Sequence, residues 1–194
     1  MDLVPLFLRR HDVLYDFWLG EAWRTVPDDV MRRRPHARLN SIAWNLWHLA
    51  RGQDAGLNRF VADRTQVLDD GGWMGRMNVP WRHHGGGMTL AEVDDLSQRI
   101  DLPALWSYSD AVRARTREIV GGLDPDGLDT ALDAERLRVI LVDEGLAHSH
   151  VTELLETYAR WTRGDCVLNL GLTHPFQHLG VMNALASLQG VDFG

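Results

Sequence analysis

Residues 39–54 read LNSIAWNLWHLARGQD. Asn40 offers an N-cap, and Leu39 and Trp44 stand at the spacing of a hydrophobic staple, so a helix is predicted to open near Asn40 and run to about Ala62. His48 falls in the middle of that helix, on the side shared by Trp44 and Ala55. An imidazole beside Trp44 is costly if buried alone, so it requires either a hydrogen-bond partner or a metal. Small residues beyond it, Gly52 and Ala55, leave room for something.

Outward from this segment the chain keeps a helical rhythm. Phe7, His11, Leu14 and Trp18 recur at three- and four-residue steps and predict a first helix over Leu3–Trp23, with Pro5 in its opening turn. The polar stretch from Pro27 to Arg38, with Arg32, Arg33 and Arg34, reads as a solvated connection rather than an anion site. Residues 71–88, GGWMGRMNVPWRHHGGGM, have no periodicity and form a loop long enough for a lid or binding loop. Thr89 and Glu92 then make a capping box. A third long helix is predicted from Asp101 to Val120, with Pro103 in its first turn, and a fourth from Asp143 to Thr162. The run Leu137–Val142 reads equally as a short strand or helix. A last helix is expected from Thr173 or His174 to Leu188, with Pro175 in its first turn. With so little strand signal, the fold class is all-α, a helical bundle.

At 194 residues the chain is expected to form one domain spanning 1–194. Its 20 basic residues are all arginine and are outnumbered by 27 acidic ones, a net charge of −7 that argues against a nucleic-acid partner. The lack of lysine excludes a Schiff-base lysine and a Walker-type phosphate loop. Cys166 is the only cysteine, which excludes an internal disulfide and a cysteine-rich zinc module; a reducing cytoplasm fits, and the thiol is expected to be inert unless exposed. The apolar start, Met1 to Phe7, is interrupted by Arg9, Arg10, His11 and Asp12, and no run approaches the ~18 residues of a membrane span. A protein without membrane partners, located in the cytoplasm, is expected.

Chemistry concentrates in the nine histidines. His174 and His178 form an H-x-x-x-H pair, and four helical steps return to within ~40° of the starting direction, so both imidazoles can reach one metal ion. The residues between them are Pro-Phe-Gln, without the glutamate that serves as base in zinc peptidases. A third ligand is needed, and His48 is the best candidate. His148 and His150 point ~200° apart on a helix and cannot chelate from one face; they could meet one metal only if the helix began after them. Glu144 and His148 have the spacing of a surface contact. His83 and His84 are expected to face solvent unless their loop folds over the metal, and His11 to be packed or hydrogen-bonded in the core. Asp54 and Tyr15 are candidates for proton transfer, and an arginine at the mouth of the site could take a carboxylate.

Together, LNSIAWNLWHLARGQD and THPFQHLGVMNAL (residues 173–185) resemble the DinB-like superfamily of bacterial four-helix metalloproteins, also described as YfiT-like or DinB/mycothiol-dependent. The resemblance covers most of the chain in layout. It implies a four-helix bundle with a long crossover connection and extra short helices. It also implies a divalent ion on His48, His174 and His178, with zinc foremost and nickel, iron or manganese as alternatives. Three neutral imidazoles leave an open coordination position. The group includes enzymes that use a low-molecular-weight thiol such as mycothiol or bacillithiol, and the resemblance thereby implies S-transfer to, or isomerisation of, an electrophilic small molecule. The alternatives are a non-catalytic metal- and ligand-binding helical protein, and a metal-free scaffold that forms a homodimer through tryptophan-rich surface, in which the three histidines would stand apart.

Overall fold

Helix α1 (Leu3–Asp12) turns Phe7 and His11 inward, and a π-helical run, Val13–Trp18, continues it to bury Leu14 and Tyr15. The computed structural model describes residues 3–191, so Met1 and Asp2 of the apolar start lie outside the described residues, as do residues 192–194 of the expected domain. The first helix does not reach Trp23 in one piece. Its helical run ends at Trp18, and Glu21–Arg24 forms a separate turn whose N-cap, Gly20, lies 2.6 Å in Cβ terms from the Asp16 carbonyl.

Helix α2 (Ile42–Ala55) opens one residue later than predicted. Ser41, in extended conformation, accepts the Trp44 amide on Oγ at 3.0 Å and so supplies the cap expected of Asn40. A π-helical run, Gly56–Ala62, extends α2 to the predicted end, where Asp63 turns left-handed. Single turns at Val67–Asp70 and Trp73–Arg76 fold the long loop. The capping box of Thr89 and Glu92 opens α3 (Leu90–Arg99), and Asp101 caps α4 (Leu102–Gly121) by accepting the Ala104 amide at 2.8 Å.

The next helix, α5 (Ala134–Arg138), passes into a π-helical run, Val139–Asp143, which settles the ambiguous Leu137–Val142 as helix. The predicted helix from Asp143 to Thr162 is not formed as one element. Gly145 and His150 adopt left-handed conformations, and the Leu146 and Ala147 amides fold back onto the Ile140 and Leu141 carbonyls. Only α6 (Val151–Tyr158) is helical there. Thr162, expected as a helix end, is instead half of a capping box with Asp165 that opens α7 (Arg163–Leu168).

A π-helical run, Asn169–Thr173, joins α7 to α8 (His174–Ser187), so the last helical stretch begins at Arg163 and Pro175 lies inside it. Proline has no amide, and its ring crowds the carbonyl four residues back, here that of Gly171. The wide π turn accommodates that crowding, and Gln53 Nε2 donates to the Gly171 carbonyl at 3.5 Å. The result is an all-α bundle in which α2 packs against both α4 and α8. Among the described residues no strand forms beyond one isolated bridge, Ala131–Thr162, and no helix is long and apolar enough to cross a membrane.

His11 meets its expectation as a core histidine and gives the fold a pH dependence. It is fully buried, stacked on Phe7, and its Nε2 accepts from Gln53 Nε2 at 2.9 Å. Burial, aided by Arg113, lowers its pKa to about 4. Between pH 6.5 and 4 the unfolded chain takes up a proton that the folded chain refuses, so this contribution to stability is lost as pH falls through that window. The loss at the acid end is about 3 kcal/mol. Urea unfolding at pH 7, 5.5 and 4.5 is expected to show a shallower decline for His11→Leu than for the wild type; parallel declines would remove His11 from the account.

Candidate metal centre

The middle of α2 and the first turn of α8 meet at three imidazoles. His174 and His178, one turn apart, have ring centroids 4.5 Å apart, and the His48 ring lies 4.9 Å from the first and 4.7 Å from the second. One ring nitrogen from each lies within 4.8 Å of the other two. His48 Nε2 and His174 Nε2 are 3.1 Å apart. Two nitrogens bound tetrahedrally at zinc–imidazole bond lengths stand roughly 3.3 Å apart, so this spacing fits a shared ion.

Neighbouring groups set the tautomers. His48 Nδ1 donates to the backbone carbonyl of His84, and His178 Nδ1 donates to Asn45 Oδ1 at 2.7 Å. Each bond leaves the Nε2 lone pair free, the arrangement that metal-ligating histidines use. His174 Nδ1 is buried with no partner and rests against Gly52, whose absent Cβ would lie 3.2 Å from the His174 ring. Trp44 stacks on His48 at 4.6 Å. Burial lowers all three imidazole pKa values, that of His174 to about 3 and that of His178 to about 4; for His48, burial and then His174, His178 and His84 push the same way. All three are neutral at pH 7, the form that ligates.

The rings of His48 and His174 form one end of a cavity of about 380 Å³. Its walls come from the far half of the α2 run, α6 and the π-helical approach to α8, with Phe60, Leu146, Leu154, Tyr158, Trp161 and Leu170 as the apolar members. Gly52 and Gly56 allow this approach, because a Cβ on Gly56 would lie 2.2 Å from Leu170 Cδ1. None of the arginines lines the cavity, so the expected carboxylate-binding arginine is not found there.

Several other expectations are corrected by the packing. His83 is buried and His84 largely so, because their loop folds over α2 instead of facing solvent: the His84 amide bonds the Leu146 carbonyl at 3.2 Å, and Gly85 lies so close to Trp47 that a Cβ there would meet its ring at 2.5 Å. His84 lines the cavity. Glu144 pairs with Arg59 at 2.6 Å and His148 with Glu92 at 3.4 Å, so these two do not pair with each other. Asp54 is consumed by a buried network, and the Tyr15 hydroxyl donates to Gln53, so neither serves proton transfer at the histidines. Cys166 is fully buried and its thiol is pushed up to about 12 by burial, which leaves it inert. The histidines stand together, which removes the scaffold reading that required them apart.

Sequence reasoning did not single out Asn45. It lies one helical turn before His48, a position from which its carbonyl oxygen reaches across to α8.

Known proteins agree with this layout. Comparison with curated proteins gives no match. Among solved structures, the crystal structure of a conserved protein from Enterococcus faecalis is similar, with a TM-score of 0.71 at 14% identity over 97% of each chain, which shows a shared fold. The family profile of the DinB superfamily matches residues 19–182, a span that contains His48, His174 and the four residues after it through His178. The chain belongs to the DinB superfamily.

Proposed function

We propose that His48, His174 and His178 hold one divalent cation, zinc by preference with nickel, iron or manganese as alternatives. We propose further that the protein is an enzyme activating a low-molecular-weight thiol of the mycothiol type, for S-transfer to or isomerisation of an electrophilic small molecule. The observation that carries this reading is the convergence of three neutral imidazoles, two of which, His48 and His174, line a cavity. Membership of a metal-binding superfamily supports it. A divalent ion held there supplies a Lewis-acid position with room for an outside ligand, which lowers the pKa of a coordinated thiol. The chain itself holds the rings: the His84 carbonyl fixes His48 and Asn45 fixes His178. The apolar walls offer a ligand a surface of low polarity beside His48 and His174, and the Tyr158 phenol, pushed up to about 12 by burial, keeps its proton. A reducing cytoplasm suits both a thiol cofactor and an unpaired Cys166.

The test follows free thiol in a mixture of metal-loaded protein, mycothiol and a panel of electrophiles. Loss of thiol is expected, abolished by a chelator and restored by adding the ion back. A second reading, a metal- and ligand-binding protein without turnover, is favoured by one feature: no carboxylate lines the cavity to act as acid or base. Metal-independent thiol loss, or none across a broad panel, selects that second reading.

A further inference from the structure

The cavity beside the three histidines has a chemical character of its own. Its lining contains no arginine, aspartate or glutamate, and the chain has no lysine. Besides the histidines, its polar members are uncharged: Thr157, Thr173 and Gln177 are exposed, and Asn169 is half-buried. Deeper in, three aromatic rings form a continuous wall: Phe60 lies 5.1 Å from Tyr158, and Tyr158 lies 4.9 Å from Trp161, both pairs inclined rather than parallel. A carboxylate or phosphate drawn into such walls would leave water without gaining a cationic partner from the chain, a heavy penalty. An aromatic ring would instead gain apolar burial and the edge-to-face contacts that inclined rings offer. The volume, about 380 Å³, is at the small end for ligand pockets.

We infer that the molecule this cavity takes is uncharged and aromatic, of one or two rings, with its reactive or metal-binding group turned toward His48 and His174. This deepens the proposed function and rests on it for the orientation of the ligand, not for the class. Trp161, at the end of the aromatic wall, is then a specificity-determining residue.

Two measurements test this. In cobalt-substituted protein, titration of the visible absorption with phenylmethanethiol and with mercaptosuccinate compares one thiol donor on a neutral ring with one on a dianionic body. Phenylmethanethiol is expected to bind at least tenfold more tightly, and Trp161→Ala to reduce that preference several-fold while leaving helical content and cobalt uptake unchanged. In metal-free protein, the uncharged two-ring dye 6-propionyl-2-(dimethylamino)naphthalene is expected to brighten and shift to the blue on binding, and Leu154→Asp to weaken its binding at least tenfold. Equal or tighter binding of mercaptosuccinate, or dye binding indifferent to Leu154→Asp, overturns the inference. If cobalt fails to enter the protein, the metal reading falls, and the dye titration still decides the character of the cavity.

Discussion

His178→Ala protein, grown with supplemented metal and analysed for its elements, is expected to carry roughly a tenth of an ion per chain or less, against about one for the wild type. The ranking of variants carries the argument. His178 is one of three nitrogens that converge, and its ring is held by Asn45 Oδ1 at 2.7 Å. Loss of such an orienting partner costs ~10–100-fold in metal affinity, so Asn45→Ala is expected in that range and His178→Ala beyond it. His150→Ala should retain the wild-type content. That residue precedes α6 as its N-cap in a left-handed conformation, with its side chain exposed and facing Glu153 at 3.7 Å, and is not one of the three that converge. Equal retention by His178→Ala and His150→Ala would reject the ligand set, whichever metal is used.

What could be read before the fold was known follows the range of the interactions involved. The H-x-x-x-H pair is local: His174 and His178 share one helix face, so their spacing alone places the two rings side by side. The capping box at Thr89 is local for the same reason. His48 was reachable because Trp44 and Gly52 lie on its own helix, but its approach to His174 spans 126 residues and depends on how α2 and α8 pack.

His84 could be read only conditionally, as facing solvent unless its loop folds over the metal. A glycine-rich loop has no periodicity to reveal which way it folds, and the contact that turns it inward, from its amide to the Leu146 carbonyl, joins two irregular segments. The break between Asp143 and Val151 was hidden for a related reason. The apolar spacing of Leu146, Leu154 and Tyr158 suits a helix, yet Gly145 and the folding of the Leu146 and Ala147 amides onto the preceding π turn prevail over it. The continuous run through Pro175 depends on a π turn that no residue pattern announces.

The second large effect is on stability, at a residue that sequence reasoning had placed in the chemistry. Asp54 is fully buried and every acceptor it offers is used. Oδ2 takes Arg51 Nη1 at 3.0 Å, the Tyr108 hydroxyl at 2.6 Å and the Leu68 amide at 2.9 Å; Oδ1 takes the Val67 amide and Asn58 Nδ2, both at 2.8 Å. Asp54→Ala leaves the Arg51 guanidinium charged inside the core and strands two amides and a phenol. Breaking a buried pair from one side in this way costs about 3–5 kcal/mol. For a chain of this size that corresponds to a fall in Tm of roughly 6–20 °C. The double variant Arg51→Met with Asp54→Leu removes both charges and is expected to be less destabilised than Asp54→Ala alone, because no uncompensated charge remains. The network also reaches the metal centre, since Arg51 Nη2 donates to the Arg82 carbonyl at 2.6 Å, two residues before the His84 carbonyl that holds His48. Asp54→Ala is therefore expected to weaken metal binding at temperatures well below its Tm, where circular dichroism still reports full helix. A loss below about 1 kcal/mol in Asp54→Ala would show that the buried pair is dispensable.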